Sequence, residues 1–224
     1  MVIKSTSKKS ILIKICGITK ISQAKAISQL KVDAIGVIGV ESSPRFVPKE
    51  KCQKIFEEVE KNSSNIERVL VIANKEIKKI DFSSNESSSP TVIQLHGNES
   101  VDYCHKLKIK FPEIFIWKAF RLKSILDLRE IRRYENFVDA ILLDAWDNKS
   151  LGGTGKRIPI ELLVNRTFNT PWILAGGISY ETIPEIFSKI KPDGIDASSL
   201  LETSPGIKDI AKVKSLIRVI KEDH

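Results

Sequence analysis

Residues 172–199 read W-I-L-A-G-G-I-S-Y-E-T-I-P-E-I-F-S-K-I-K-P-D-G-I-D-A-S-S. An apolar run over 172–174 closes on Ala175-Gly176-Gly177, residues 179–190 carry helical spacing, and a second apolar run over 194–197 closes on Asp196-Ala197-Ser198-Ser199. Strand, glycine turn, helix and strand in that order make a βαβ unit, which requires the two strands to lie parallel. Outward from this stretch the same alternation recurs. Short β-rich runs at 11–15, 34–40, 68–73, 91–95, 114–117 and 138–143 bring the total to eight. Eight units that bracket nearly the whole chain predict an α/β fold, a closed (β/α)8 TIM barrel in a single catalytic domain over 11–224. Residues 1–10, basic and serine-rich, are expected to form a flexible N-terminal extension.

Helical patterns fill the gaps: 21–30 with Ile21, Ala24, Ile27 and Leu30 on one face, then 48–59, 99–110, 122–134, 179–190 and 207–220. The third unit is the weak one, because 75–81 leaves scarcely two turns before the low-complexity segment 83–90, which reads as a flexible surface linker. A doubly wound open sheet shares the alternation. It calls for a glycine-rich phosphate turn after the first strand, where this chain has only Cys16-Gly17-Ile18-Thr19.

The composition, 42% hydrophobic and 29% charged, is that of an ordinary globular chain. Thirty-six basic against 28 acidic residues give a net charge of +8, which favours a phosphorylated small molecule as ligand. The lysines are scattered, and no stretch interleaves arginine with aromatics, so no nucleic-acid partner is expected. No apolar run approaches the length of a membrane span, and the N-terminus has no signal-like segment, so neither membrane nor export is expected and the cytoplasm is the default. Cys16, Cys52 and Cys104 are odd in number and widely spaced, which suggests neither a disulfide framework nor a metal site.

Chemistry in such barrels gathers at the C-terminal ends of the strands, so polar residues there carry the functional reading. Cys16 closes the first run, where it is either a small buried hydrophobe or a thiol presented to the mouth by the turn at Gly17. Asp144 closes the sixth, either as a turn cap or as a proton donor in a low-dielectric opening. Arg45, in Ser43-Pro44-Arg45, offers a planar grip for a carboxylate. Gln94 and His96 end the fourth run and face substrate, although for His96 the stronger reading is structural, orienting neighbours or satisfying a buried carbonyl. Gly152-Gly153-Thr154-Gly155-Lys156 lacks Walker spacing and reads as a hinged flap, with Gly153 and Gly155 against substrate and Thr154 or Lys156 reaching it on closure. Gly176, Gly177, Ser198 and Ser199 converge as a phosphate site. Alternation also puts Lys14 on the face of Cys16, one layer deeper, and Asp196 on the neighbouring last strand, so the two should form a structural ion pair.

The motifs K-I-C-G-I-T at Lys14, D-A-I-G-V-I at Asp33, S-P-R-F-V at Ser43, Q-L-H-G at Gln94, L-L-D at Leu142, G-G-T-G-K at Gly152, L-A-G-G-I at Leu174, and D-A-S-S with S-P-G-I-K-D at Asp196 and Ser204 resemble the phosphoribosylanthranilate isomerase family of tryptophan biosynthesis. The resemblance runs from Ile11 to nearly the end of the chain. It implies an aldose–ketose isomerase performing an Amadori rearrangement, with Cys16 as general base, Asp144 as general acid and Arg45 on the anthranilate carboxylate. It further implies no metal or cofactor and a monomer or homodimer. Two places depart from the family pattern: Lys156-Arg157-Ile158-Pro159-Ile160 follows the flap glycines, and Leu200 stands after the double serine where glycine is common. A sister barrel of histidine synthesis would use paired aspartates and duplicated halves, and a ribulose-phosphate epimerase would need metal-binding histidines beyond His96, His105 and His224. A non-catalytic phosphate-binding protein has no use for both Cys16 and Asp144.

Overall fold

A computed structural model describes residues 10–82, 86–145 and 158–222. Eight strands close into a barrel in sequence order: β1 (Leu12–Cys16), β2 (Ala34–Ile38), β3 (Glu67–Ile72), β4 (Val92–Leu95), β5 (Phe115–Leu122), β6 (Ala140–Ala145), β7 (Trp172–Ala175) and β8 (Gly194–Ala197). Every neighbouring pair is parallel, and β1 completes the ring against β8. Around it lie α1 (Ile21–Ser28), α2 (Lys49–Asn62), α3 (Val101–Lys110), α4 (Asp127–Ile131), α5 (Ile183–Lys189) and α6 (Ile210–Glu222). A two-stranded antiparallel hairpin, β9 (Glu202–Ser204) and β10 (Ile207–Lys208), sits between β8 and α6.

Both faces of each strand are covered, which is why the strands read as unbroken apolar runs rather than as alternating ones. Outward residues such as Ile13, Ile15, Ile35 and Ile93 pack against helix residues such as Phe56 and Leu107 in the larger core. Inward residues, among them Ala34, Val69, Val92, Trp117, Leu142 and Ile173, fill the barrel itself. Each fully buried aliphatic side chain of this kind stabilises the fold by about 1.5–3 kcal/mol. No helix among the described residues is long and apolar enough to cross a membrane.

Of four local expectations, the first is met and three are corrected. The third unit keeps only a 3-10 turn, Ile77–Lys79, as its short pattern allowed. Strand β5 runs on to Leu122, so the helix expected from that residue shrinks to the five residues of α4, with Ile125 and Leu126 exposed ahead of it. The helix expected from Ser179 begins at Ile183, because the Thr182 hydroxyl accepts from the Ser179 amide and donates to the Gly177 carbonyl, holding the preceding residues in a turn. The helix expected from Ile207 begins at Ile210, since Ile207 and Lys208 are taken up by β10. Of the serine-rich linker, 83–85 lie outside the described residues. Its end is anchored: Ser89 is buried and its carbonyl accepts from Arg68 Nε at 2.8 Å.

Candidate active site

The base of the mouth is set by strand register. Lys14 and Cys16 project inward from β1, and Lys14 stands opposite Asp196 of β8. Lys14 Nζ donates to Asp196 Oδ2 at 2.7 Å with the lysine wholly buried, so the expected ion pair is present. Burial works to strip the lysine of its proton, but Asp196 and the Cys16 sulfur outweigh it and lift the ammonium above its ordinary 10.5. The same burial pushes the Cys16 thiol up, against the pull of Lys14 and, more weakly, of Lys208. Gly36 of β2 closes this corner. A methyl group there would come 2.7 Å from Cys16 Sγ and 3.1 Å from Lys14 Cε, so only glycine leaves the thiol and the ammonium their places.

Asp144 projects inward near the end of β6, one residue beyond the Leu143–Leu174 pair, and is 6% exposed. Its Oδ1 accepts from the Ala145 amide at 2.8 Å. Its Oδ2 lies 3.4 Å from His96 Nε2. Gln94, one inward position below His96 on β4, places Nε2 3.0 Å from His96 Nδ1. Among the described residues, three buried side-chain atoms of this mouth have no hydrogen-bond partner: Gln94 Oε1, His96 Nε2 and Asp196 Oδ1. Buried polar atoms are rarely left so, and atoms of this kind lining one opening mark where a ligand's polar groups are received.

Arg45 is buried and already engaged. Its Nε and Nη2 meet the Glu202 carboxylate at 2.7–3.1 Å, and Lys208 Nζ meets Glu202 Oε1 at 2.6 Å. The edge expected to grip an external carboxylate is therefore spent on an internal one, and Nη1 is the nitrogen without a hydrogen bond among the described residues. Gly17, at φ +80°, lets the chain turn beneath this cluster: a Cβ there would fall 2.7 Å from Arg45 Cδ. Burial pushes the Glu202 carboxyl up, yet hydrogen bonds from Arg45 and Lys208 hold it below its ordinary 4.5.

After β7, on the same rim, Gly176 and Gly177 adopt φ of +82° and +67° in a tight turn. Ser198 and Ser199 follow β8. The Ser198 hydroxyl is occupied, donating to the Cys16 carbonyl at 3.0 Å, so it ties the last strand to the first. Gly153 and Gly155, with Thr154 and Lys156, lie outside the described residues. Gly36, Glu202 and Lys208 were missed as site residues. A glycine inside a strand was the available signal for Gly36, whereas Glu202 and Lys208 become visible only when the hairpin folds back over the mouth.

A closed parallel barrel that brings a thiol, a carboxyl and buried cations to its C-terminal rim is the build of a (β/α)8-barrel enzyme. Comparison with known proteins narrows this. The family model for N-(5'phosphoribosyl)anthranilate (PRA) isomerase matches residues 13–219. The N-(5'-phosphoribosyl)anthranilate isomerase of Crocosphaera subtropica is 40% identical over 210 residues, covering 94% of this chain and 98% of the relative. That of Rippkaea orientalis is 38% identical over 210 residues, covering 94% and 96%. The crystal structure of the Thermotoga maritima phosphoribosyl anthranilate isomerase superposes with a TM-score of 0.82 at 28% identity, covering 95% of this chain and 99% of that one. A phosphoribosyl anthranilate isomerase in complex with reduced 1-(o-carboxyphenylamino)-1-deoxyribulose 5-phosphate gives 0.76 at 27% identity, covering 95% and 99%. The chain belongs to the N-(5'-phosphoribosyl)anthranilate isomerase family.

Proposed function

We propose that this protein isomerises N-(5'-phosphoribosyl)anthranilate to 1-(2-carboxyphenylamino)-1-deoxyribulose 5-phosphate in tryptophan biosynthesis, in the cytoplasm, using the barrel over 11–224 with residues 1–10 outside it. The observation that carries the reading is the pairing of an inward thiol on β1 with an inward carboxyl on β6 in a chain of this family. Asp144 protonates the furanose ring oxygen. The C1'–O4' bond breaks as the nitrogen lone pair forms the C1'=N iminium. Cys16, as thiolate, removes the C2' proton, and the C–H electrons flow into the iminium to give an enolamine. The enolamine becomes the ketone as C1' gains a proton and the C2' hydroxyl loses one. The substrate nitrogen is the electron sink throughout, so the steps draw on no other electrophile.

Burial keeps the thiol protonated at rest, since the Lys14 charge that opposes it is shared with Asp196. The cationic iminium supplies the second positive charge beside it, so the thiol gives its own proton to water, and the thiolate that takes the C2' proton forms only after Asp144 has opened the ring. Arg45 receives the anthranilate carboxylate through Nη1, with Glu202 fixing the guanidinium plane. Gln94 Oε1 accepts a hydrogen bond from substrate, His96 lines the wall beside it, and Gly153 and Gly155 of the flap close over the bound molecule. The amides of Gly176, Gly177 and Ser199, with the rim at Ser198, hold the phosphate dianion.

The test is fluorescence-monitored turnover of phosphoribosylanthranilate by the purified protein in the presence of EDTA. Cys16→Ser and Asp144→Asn are each expected to lower kcat by about a hundredfold or more, the scale of a positioned proton-transfer group, while inorganic phosphate binds both as it binds the parent. A parent protein that binds substrate without turning it over sinks the enzyme reading. Both variants running at the parental rate sink the roles.

A further inference from the structure

Asp144 is not alone at its end of the mouth. Gln94 of β4 and His96, one residue past the strand's end, point toward it, although β5 lies between β4 and β6. The register pairs Leu95 with Lys118, so His96 stands beside Ala119, the smallest inward residue that β5 offers, and the imidazole passes over it. The result is a line of three polar side chains, the outer two buried and His96 partly so: Gln94 Nε2 to His96 Nδ1 at 3.0 Å, then His96 Nε2 to Asp144 Oδ2 at 3.4 Å.

The chemistry of the line is directional. An amide nitrogen can only donate, so the ring nitrogen facing Gln94 is the bare acceptor and the proton of a neutral imidazole sits on Nε2, facing Asp144. That N–H is buried and, among the described residues, has no bonded partner in the resting geometry, since the 3.4 Å approach to Asp144 does not meet hydrogen-bond geometry. Hydrogen bonds of catalytic groups are often long before substrate arrives and tighten as charge develops. The charge that develops here is on Asp144, which turns from acid to carboxylate when it gives up its proton. We propose that His96 is a positioning residue for Asp144: Gln94 fixes its tautomer, and its Nε2–H receives the carboxylate formed when the ring oxygen is protonated. Only the Asp144 proton is transferred, from carboxyl to ring oxygen, and His96 keeps its own.

This rests on the assignment of Asp144 as the acid, and the experiment separates the two. In the unliganded parent, long-range 1H–15N spectra of the histidine rings are expected to show His96 with Nε2 protonated and Nδ1 bare, and Gln94→Leu should weaken that preference. This measurement needs no active variant. His96→Ala is expected to lower kcat about 10- to 100-fold, the worth of one hydrogen bond to a charged group. KM should stay within about twofold of the parent, because the contact forms only as the reaction proceeds. His96→Gln, whose amide N–H reaches the place of Nε2, should recover most of the loss, whereas a merely structural histidine would not be rescued in kcat alone. A proton found on Nδ1 overturns the proposal. So does a rise in KM with kcat unchanged, which would make His96 a substrate contact, and so does His96→Gln behaving no better than His96→Ala. If Asp144→Asn turns over at the parental rate, the acid assignment fails while the ring spectra still report the Gln94–His96 pair.

Discussion

Lys14 shows how far one residue can be understood from register. A lysine two positions before Cys16 must face inward, and in an eight-stranded ring the last strand must meet the first, so Asp196 was the predictable partner and the 2.7 Å contact follows. Such a pair is weak evidence of net stability, because desolvating both charges offsets most of their attraction. Breaking it is a different matter. Lys14→Met strands a carboxylate whose Oδ1 already lacks a partner, and is expected to cost about 3–5 kcal/mol in urea unfolding, while Lys14→Met combined with Asp196→Leu should recover most of that loss. A single variant as stable as the parent would mean the pair is not closed in solution. The raised lysine also fixes a sign. Its contribution is complete below 10.5 and is lost as pH rises through the higher folded value, so it belongs to alkaline and not acid unfolding. Arg45 was legible only as a cation at a strand end. Its partner, Glu202, lies 157 residues away on a hairpin that has no periodic signature, so the guanidinium edge spent on it could not be read beforehand.

At the scale of elements, the strands were readable to within a few residues because a parallel barrel buries both faces, and the resulting β-branched runs have no competing reading. The helices were less so. The pattern over 122–134 has helical spacing, yet β5 continues to Leu122 and leaves α4 one turn and a half. Tertiary pairing overrode local preference there. The hairpin β9–β10 was the element missed altogether, and one of its ties to the mouth is a carboxylate: Glu202 is clasped by Arg45 from the β2–α2 loop and by Lys208 within the hairpin, beside hydrogen bonds from Thr19 to Gly206 and between Gln23 and the Lys208 backbone. The folded carboxyl titrates below its ordinary 4.5, so its stabilisation is present above 4.5 and lost as pH falls through the lower folded value. Hydrogen exchange over 199–208 should accordingly rise as pH is lowered below that range, after correction for intrinsic rates, before exchange rises in β4–β6. Glu202→Gln, which cannot titrate, should show raised exchange over 199–208 at neutral pH and no further acid step. Uniform exchange across hairpin and barrel as pH falls would show that the clasp does not hold the element on.

Closure of the ring has a consequence for the whole molecule: a barrel has no free edge strand from which to fray, so most of its core opens only when everything opens. The three free cysteines report on this from different depths. Cys52 and Cys104 lie in the layer between barrel and helices, and burial pushes their thiols up to about 12 and about 11. Cys16 lies inside the barrel, also raised by burial, but with Lys14 and Lys208 drawing its proton away. Cys16 stands at the last position of β1, on the rim of the mouth, whereas the other two lie under the helices, so a disulfide reagent at mildly alkaline pH should reach and label Cys16 first and the other two together, at the rate of global unfolding. Peptide mass spectrometry of timed samples checks the order. A bound carboxyphenylamino-deoxyribulose phosphate, seated over the mouth, should slow Cys16 selectively and slow the other pair only as far as it stabilises the fold. Labelling of Cys52 or Cys104 at the pace of Cys16 in the native protein would mean that the helical layer opens independently of the barrel, and that the ring does not behave as one cooperative unit.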